Sequence, residues 1–406
     1  MPVKVKLGDE AAYARHLARK AMVERSDLAI GFDESRARDP LLLVDGPEFY
    51  PRLLDDIRAA ESSVHINQFG FRPGIVGSRF ADVLADKARS GVNVRLLVDS
   101  RGSDPDGESR ELLAGLAAAG VEVLVNRAFD LRVHPGLVGT DLGTRWNLRN
   151  FGAVDHRKLT VVDGRVGWIG TAGIEDRFED GRYHDLFVRF EGPVVQQLQT
   201  VFLASYRWLG GCFHQSEVAS LYPDDETCDA DVPAVVLHNA PGRYRPITRA
   251  IVEQMRTARD SLDMINPYVS DPAMFGRIID AARRGVRVRF IVSPGPNTWA
   301  TGYAQLYHHR EMIEAGVALL CYPAMAHAKA FVRDGEDVLV GTCNLEAWSL
   351  KRFFEINLRV RSRTLAEQFR TRLFEPDIGV SVPCPPASGI RERVLSTAYY
   401  LVSPLL

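Results

Sequence analysis

The octapeptide HRKLTVVD occupies residues 156–163, and its pattern returns as HAKAFVRD at residues 327–334. Each copy has a histidine, a lysine two positions later and an aspartate at the end: His156, Lys158 and Asp163 in the first, His327, Lys329 and Asp334 in the second. After six further residues each copy reaches a glycine–threonine pair, at 170–171 and 341–342. A shared pattern with a shared tail in the two halves indicates an internal repeat.

The repeated histidine and lysine suit a two-step displacement at phosphorus. One group attacks phosphorus, and a second group protonates the leaving alcohol. Two imidazoles can fill these roles because their pKa lies near neutrality. Two lysines can stabilise the charge on phosphorus without a metal. Histidine and lysine two residues apart on a strand share a face, whereas Asp163 and Asp334 lie at odd offsets. We therefore predict that the aspartates brace a turn.

The two halves also share an order of apolar strands and helical stretches. A strand, a helix, a strand, a helix and a strand precede each motif strand, and another strand follows it. Such alternation indicates parallel βα units. The predicted fold class is α/β, with two lobes related by a pseudo-twofold axis and the site at their interface. The predicted divisions are a helical extension at 1–39, a first lobe at 40–219, a linker at 220–233, a second lobe at 234–388 and an amphipathic tail at 389–406.

The paired motif resembles that of the phospholipase D superfamily, and the surrounding text is most similar to bacterial cardiolipin synthases of that type. The likeness covers roughly residues 40–406. It is carried by LLLVDGPEFYPRLLDDIRAAESSVHINQFGFR (41–72), GVNVRLLVDSRGS (91–103), NLRNFGAVDHRKLTVVDGRVGWIG (147–170), HDLFVRFEGPVVQQLQTVF (184–202), GTCNLEAWSLKRFFEINLRV (341–360) and LVSPLL (401–406). The resemblance implies two phospholipase D-like lobes and a phosphatidyl-histidine intermediate that an alcohol on a second lipid resolves.

The resemblance also implies roles for residues near the motifs. Asn344 matches an asparagine that helps to hold the phosphate, and Asp185 and Glu355 match carboxylates that hydrogen-bond the histidines. Thr171 and Thr342, in the two tails, are expected to support the site. An oriented base needs such partners, because they fix the tautomer of the imidazole.

Two positions depart from the family pattern. Gly173 stands where the first half should have an asparagine, so phosphate binding there is lopsided or uses a backbone N–H. Trp348 replaces an arginine that often follows the second motif, so a cation near the headgroup is missing and acceptor preference can differ. Ser349 either contacts the phosphate or packs as a structural serine.

Composition fits an ordinary globular enzyme. The net charge of −2 gives no global basic field for nucleic acid, and none is expected as a partner. Five cysteines without CxxC spacing argue against a zinc site or a disulfide framework and favour a reducing cytosol. No apolar run approaches the roughly 18 residues of a membrane span, and the N-terminus lacks a signal-peptide core. We expect the cytoplasm or the cytoplasmic face of the membrane.

Three segments have alternative interpretations. The tail 389–406 is either an interfacial anchor or a helix docked on its own domain. The basic N-terminal stretch 11–30 allows the same two alternatives. The segment 126–158 carries an excess of positive charge beside the first motif, which can attract an anionic headgroup. The basic residues of this segment are Arg127, Arg132, Arg145, Arg149, Arg157 and Lys158.

The predicted activity is a phosphatidyltransferase that needs no cofactor or metal and acts on anionic phospholipids at a membrane surface. Phosphatidylglycerol is the expected substrate, with cardiolipin and glycerol as products. His156 is the predicted nucleophile and His327 the general acid, while Lys158, Lys329 and Asn344 stabilise the phosphorane. Two alternatives remain: a phospholipase D or phosphodiesterase that uses the same residues for hydrolysis, and a non-catalytic scaffold.

Overall fold

The structure is a computed structural model that describes residues 2–128, 132–133, 145–146, 152–224, 229–242, 244–293 and 299–402. The strands are β1 Val3–Val5, β2 Ile30–Phe32, β3 Ser35–Val44, β4 Ser63–Gln68, β5 Asn93–Asp99, β6 Glu122–Asn126, β7 Arg132–Val133, β8 Arg145–Trp146, β9 Lys158–Val162, β10 Val166–Gly170, β11 Tyr183–His184, β12 Leu186–Glu191, β13 Val232–Asn239, β14 Ser261–Ile265, β15 Arg287–Val292, β16 Ala318–Cys321, β17 Met325–Ala326, β18 Ala330–Arg333, β19 Asp337–Gly341, β20 Glu355–Arg361 and β21 Val382–Pro383.

The α-helices are α1 Glu10–Arg19, α2 Gly46–Ala59, α3 Ile75–Arg89, α4 Ser100–Ser103, α5 Arg110–Ala118, α6 Val194–Trp208, α7 Val218–Leu221, α8 Pro246–Thr257, α9 Pro272–Arg283, α10 Trp299–Glu314, α11 Ala347–Lys351, α12 Arg363–Phe369, α13 Glu375–Val380 and α14 Ile390–Val402. Short 3₁₀ turns span Arg25–Leu28, Asp176–Phe178 and Gln215–Glu217, and a π-helical turn at Arg370–Phe374 joins α12 to α13. Within the described part of the chain, no helix is both long and apolar enough to cross a membrane.

One mixed sheet runs through both halves. Counted from its middle, the first half has the strand order β3-β12-β10-β9-β4-β5-β6 and the second has β13-β20-β19-β18-β14-β15-β16, so corresponding strands hold corresponding places. Strands β4, β5 and β6 of the first half are parallel, as are β14, β15 and β16 of the second, and the motif strands β9 and β18 pair antiparallel to β4 and β14. Strand β21 pairs antiparallel with β16 at the edge of the second half. β3 and β13 join the halves. The predicted α/β class with two related lobes is confirmed.

Three large apolar clusters stabilise this arrangement. One lies on the first half and contains side chains of α2, α3 and α5, and one lies on the second half and contains side chains of α8 and α9. The central cluster is shared, because α6, α12 and strands of both halves contribute to it. Strands buried on both faces have near-continuous apolar sequences, as in VRLLV of β5 and LTVV of β9. The lobes therefore fold against each other around a common core.

The two motif aspartates hold tight turns at the far ends of the motif strands. Asp163 and Asp334 have positive φ values of 53° and 50°, and each is followed by a glycine with φ of 64°. Two successive positive φ values are typical of the two-residue Asp-Gly hairpin turn. The Asp163 carboxylate accepts backbone hydrogen bonds at 2.8 Å from the residues before β4, and that of Asp334 accepts equivalent bonds before β14. Both aspartates therefore brace turns.

The structure differs from the predicted divisions at two places. Residues 1–39 hold the helix α1 and the short parallel strands β1 and β2 rather than helix alone. Strand β3 runs across the predicted boundary at 40, because its first residues pair with the start of β13. Strand β13 in turn begins inside the predicted linker 220–233, of which residues 225–228 lie outside the described residues.

Two cysteines correct the prediction made from the cysteine pattern. Cys321 and Cys384 form a disulfide, although 63 positions separate them in sequence. Strand β21 pairs antiparallel with β16, and this pairing brings the two thiols together. Cys343 and Cys212 are free, the first buried and the second exposed. Spacing along the chain could not reveal the bond, because it depends on which strand lies at the sheet edge.

Each half also holds the backbone of the other half's motif histidine. The His327 N–H donates to the carbonyl of His184 at 2.8 Å, where β11 runs parallel to β17. The His156 N–H donates to the carbonyl of Phe354 at 3.0 Å, beside a parallel bridge between Asp155 and Phe354. The two histidines are thereby fixed at the interface between the lobes.

A buried ion triad ties the lobes together next to one of these bonds. The ring of His184 contacts Asp45 through Nδ1 and Asp377 through Nε2, each at 3.0 Å, and it stacks on Tyr322. Asp45 belongs to the first half, and Asp377 lies on α13 of the second. Burial alone would lower the pKa of His184, but the hydrogen bonds to the two carboxylates outweigh it and raise the pKa to about 10. His184 is therefore a cation at neutral pH.

We predict that His184→Gln lowers the free energy of unfolding at pH 7 by about 3 kcal/mol, because it leaves the buried carboxylate of Asp377 without a cation. The folded-state pKa is raised above the unfolded value of about 6.5. The stabilisation is therefore fully present below that pH and is lost as pH rises toward 10. Denaturant unfolding at pH 7 and pH 9.5 should show the difference between wild type and variant shrinking, whereas His16→Gln, an exposed control, should change neither value. An equal difference at both pH values would contradict the triad's charge state.

Candidate active site

Two imidazole–carboxylate pairs lie at the lobe interface, and each pair crosses between the halves. Nδ1 of His156 lies 3.0 Å from Oε1 of Glu355, and Nδ1 of His327 lies 2.7 Å from Oδ1 of Asp185. We call these pairs the dyads. A carboxylate that accepts a hydrogen bond from Nδ1–H leaves Nε2 as the unprotonated nitrogen of the neutral ring. Each dyad therefore presents a nucleophile or base with a fixed tautomer.

Hydroxyl groups hold the two dyad carboxylates. Thr171 Oγ1 donates to Asp185 at 2.6 Å, and Thr342 Oγ1 donates to Glu355. Ser349 Oγ donates to Glu355 at 2.6 Å. Both carboxylates are fully buried, so these donors replace water that would otherwise solvate the charge. Of the two interpretations of Ser349, the structure supports the structural one, in which it contacts the dyad carboxylate.

The two motif lysines are buried. Lys158 Nζ donates to the backbone carbonyl of His156 at 2.7 Å, and Lys329 Nζ donates to that of His327 at 2.5 Å. Burial lowers the pKa of Lys158 to about 8 and that of Lys329 to about 7, while both dyad carboxylates oppose the shift for each lysine. Each lysine is therefore close enough to the dyad carboxylates of both halves to interact with them electrostatically. An anionic phosphodiester placed there favours the charged ammonium.

The two motif imidazoles are neutral at pH 7. Burial is the largest effect and lowers the pKa of His156 to about 4 and that of His327 to about 3. The dyad carboxylates raise these pKa values and the motif lysines lower them, but neither effect reverses the result of burial. A neutral ring suits a nucleophile. A bound anion raises the pKa of a neighbouring imidazole, which allows one ring to carry the proton that a leaving alcohol needs.

The two halves have different residues at the position predicted to bind phosphate, with Asn344 in the second half and Gly173 in the first. Asn344 is buried just after β19, and its Oδ1 has no hydrogen-bond partner in the described part of the chain. Its amide hydrogen-bonds Glu346, whose pKa is raised to about 7 mainly by burial. A Cβ on Gly173 would lie 3.0 Å from both Glu175 Oε1 and the carbonyl of Gly70. An asparagine at this point would therefore require Glu175 and the backbone at Gly70 to shift by a few tenths of an ångström.

Aromatic rings line both histidines. Phe69 and Phe353 lie 4.8 and 6.2 Å from the ring of His156, and Phe178 and Tyr183 each lie 5.6 Å from the ring of His327. The repeated motifs did not point to these aromatic residues. A signal was present, because Tyr183 and Phe353 each stand two positions before a dyad carboxylate.

Two arginines stack on aromatic rings in this region, Arg177 on rings beside His327 and Arg352 on Trp348. The guanidinium of Arg177 lies 5.2 Å from the ring centres of Phe178 and Tyr183, and it pairs with Glu175 at 2.7 Å. Arg352 lies 4.8 Å from the ring centre of Trp348. Arg177 and Trp348 each stand seven residues after the glycine of their tail, so they are equivalent positions of the repeat. The arginine that the second half lacks is therefore present in the first.

Two asparagines at equivalent strand ends support the motif loops. Asn67, at the end of β4, donates to Asp155 at 3.0 Å, next to the first motif histidine. Asn266 follows β14 and donates to the carbonyl of Cys343 at 3.2 Å, within the loop that carries Asn344. Both side chains are buried. Their place at the ends of matching strands was visible in the repeat, but their partners were not.

The basic segment 126–158 contributes less free charge than its composition suggests. Arg157 pairs with Asp155 at 2.5 Å, and Arg127 pairs with Asp106. The side chains of residues 129–151, which include Arg132, Arg145 and Arg149, lie outside the described residues. The prediction that this segment attracts a headgroup therefore stays a prediction.

Comparisons with known proteins show the family to which this chain belongs. A family model described as "Cardiolipin synthase, PLD-like domain" matches residues 53–206 and 251–376, which is well over half of the chain. The chain is 26% identical over 384 residues to the probable cardiolipin synthase YwiE of Bacillus subtilis, an alignment that covers 90% of this chain and 72% of that protein. It is 25% identical over 412 residues to cardiolipin synthase 2 of Bacillus anthracis, which covers 98% and 76% respectively.

Solved structures show the same fold. The phosphatidylserine synthase of Haemophilus influenzae superposes with a TM-score of 0.67 at 12% identity, over 98% of this chain and all of that one. A polyphosphate kinase from Porphyromonas gingivalis superposes with a TM-score of 0.52 at 12% identity, over 82% of this chain and 49% of that one. From the family match and the repeated lobes, we conclude that this chain belongs to the cardiolipin synthase, PLD-like family, a family of phosphatidyltransferases within the phospholipase D superfamily.

Proposed function

We propose that this protein transfers a phosphatidyl group from one phospholipid to a hydroxyl of another through a phosphohistidine, with phosphatidylglycerol as donor and acceptor and cardiolipin as product. The observation that carries the proposal is the pair of cross-lobe dyads, His156 with Glu355 and His327 with Asp185. Two oriented imidazoles at one interface supply the nucleophile and the proton donor of a two-step displacement. The names of the relatives support the same substrate class.

The proposed reaction has two steps. Nε2 of His156 attacks phosphorus, the bond from phosphorus to the glycerol oxygen breaks, and His327 gives its proton to that oxygen. In the second step His327 takes the proton of the acceptor hydroxyl, whose oxygen attacks phosphorus while the phosphorus–nitrogen bond breaks. Lys158 and Lys329 stabilise the non-bridging oxygens in both steps. Asn344 adds a polar contact on one side only.

The surroundings of the histidines favour an alcohol over water as acceptor. Phe69 and Phe353 pack beside His156, and Phe178 and Tyr183 pack beside His327. Apolar walls exclude water from a reactive intermediate while they accept a glycerol backbone and acyl chains. This supports transfer rather than hydrolysis. The intact dyads argue against a non-catalytic scaffold.

We further propose that Arg177 holds the phosphate of the acceptor lipid. It lies over the two rings that contact His327, which is the predicted base for the incoming hydroxyl. Its Nε is buried and has no hydrogen-bond partner in the described part of the chain. Asn344 stands on the second half and Arg177 on the first, so donor and acceptor phosphates would meet different groups.

Purified protein incubated with phosphatidylglycerol vesicles is expected to yield cardiolipin and glycerol, detected by mass spectrometry, with or without EDTA. His156→Asn should lower turnover by on the order of 10³-fold or more, because no covalent intermediate can form. His214→Gln, at an exposed histidine away from the site, should leave turnover unchanged. Phosphatidic acid as the main product would assign hydrolysis instead, and full activity of His156→Asn would reject the assignment.

Loss of a dyad carboxylate should reduce kcat far more than it changes KM. We expect Asp185→Asn and Glu355→Gln to lower kcat by about 10²- to 10⁴-fold, because the tautomer of the histidine is no longer fixed. The pH–rate profile should also shift, since each carboxylate raises the pKa of its histidine. Asp180→Asn, at an exposed carboxylate, serves as the control. A fall in kcat without any shift of the profile would indicate a structural role only.

The acceptor role of Arg177 can be separated from donor chemistry. Arg177→Gln should lower transfer to phosphatidylglycerol by about tenfold or more, the effect of losing one charge-assisted hydrogen bond. Transfer to a neutral alcohol such as ethanol should fall much less, because that acceptor has no phosphate. Arg182→Gln, at an exposed arginine nearby, is the matched control. Equal losses with both acceptors would contradict the assignment.

A further inference from the structure

Helix α14 exposes a stripe of apolar side chains. Ile390 is 84% exposed, Val394 61% and Leu401 71%, and Ala398 between them is also exposed. At 100° per residue these four positions lie along one side of the helix. Large apolar side chains grouped in this way are unusual on a soluble surface and indicate an interaction site.

The opposite side of α14 is docked on the second lobe. Tyr399 stacks on Tyr303 at 5.8 Å, Tyr400 stacks on Tyr307 at 4.2 Å, and Ser396 is buried. The disulfide at Cys384 fastens the chain shortly before the helix. Of the two alternatives for the tail, docking on its own domain is therefore correct for this side of α14. The exposed apolar stripe on the other side has no partner in the described part of the chain.

Arginines flank the stripe. Arg391 and Arg393 fall on opposite edges of the stripe by helical spacing, and Arg310 on α10 faces the Arg393 edge. In the described part of the chain, neither Arg310 nor Arg393 forms an ion pair. A cavity of about 370 Å³ opens between the two helices; its lining residues are Leu306, Tyr307, Arg310, Ala387, Arg393, Ser396 and Thr397. Two guanidinium groups beside such a space can hold a phosphate.

The topology places this surface toward the active-site end of the lobe. Ala330, three residues after His327, pairs with Ile265 at the carboxyl end of β14, and β15 runs parallel to β14. Helix α10 follows β15 and so begins at that end of the sheet. Tyr399 stacks on Tyr303, whereas Arg393 lines one cavity with Arg310, so α14 runs antiparallel to α10 and Leu401 lies near the start of α10.

We propose that the α10–α14 surface, made of Ile390, Val394, Leu401, Tyr307, Arg310, Arg391 and Arg393, binds the surface of an anionic lipid bilayer. The apolar stripe enters the boundary between headgroups and acyl chains, and the arginines contact lipid phosphates. An apolar face with basic rims matches an anionic bilayer in both chemistry and charge. The proposal goes beyond the proposed function, because bilayer binding is measurable whether or not the protein turns over lipid.

The test is sedimentation of the full chain with vesicles of phosphatidylcholine alone or mixed with phosphatidylglycerol. Wild type should bind the mixed vesicles and release at high salt. Replacing Arg310, Arg391 and Arg393 together by Gln should weaken binding by about 100-fold, given the contribution of each basic residue near an anionic surface. Replacing Ile390, Val394 and Leu401 together by Ser should weaken binding to any vesicle by tenfold or more.

A matched triple variant on the first lobe, Arg52→Gln with Arg58→Gln and Arg89→Gln, should bind like wild type. The Ser variant should retain turnover on dispersed short-chain phosphatidylglycerol and lose it on vesicles. Unchanged vesicle binding by both surface variants would overturn the proposal, and so would a wild-type dimer that the Ser variant converts to a monomer, since the stripe would then be a self-interface. Absence of turnover on every lipid would count against the proposed function, while the binding result would still judge this surface.

Discussion

Two hydrogen bonds that cross between the halves, from His156 to Glu355 and from His327 to Asp185, require the lobes to dock in one relative position. Neither half contains a complete dyad, so neither half alone can orient an imidazole. The shared central core and the join between β3 and β13 hold that position. Backbone bonds to the two motif histidines add a second set of crossed contacts. The packing of the two lobes against each other therefore determines the geometry of both dyads.

The repeat predicted the fold class, the two lobes and the motif histidines and lysines, because strand periodicity and motif spacing are local properties. The roles of Asn344, Asp185 and Glu355 were implied by the family resemblance instead. The sequence could not predict that the dyads cross between the lobes. A repeat shows that Asp185 and Glu355 are equivalent, but it does not show which histidine each one contacts. The His184 triad, the aromatic walls and the disulfide were missed for the same reason, since each joins segments far apart in sequence. The contact of Ser349 likewise depended on the turn before β20.

The halves share a frame but differ where substrate phosphates would bind. The second half keeps Asn344 and has Trp348, whereas the first has Gly173 and keeps Arg177. Glu355 accepts from two hydroxyls besides its histidine, and Asp185 accepts from one. Two similar halves with unequal contacts suit the proposed reaction, in which two lipids of the same kind have different roles. One lipid gives up its phosphatidyl group, and the other only offers a hydroxyl.

The continuous sheet and the shared core oppose any hinge motion between the lobes. Separating them would expose the central apolar cluster, in which each buried Leu, Ile, Val or Phe side chain contributes about 1.5–3 kcal/mol. It would also break both dyads at once. Lipids must therefore enter and leave past loops and side chains at the rim while the frame stays still. Because the sheet and the core do not move, the polar groups of the site keep their positions before the substrate binds. The proposed reaction at phosphorus therefore needs little reorganisation of the protein.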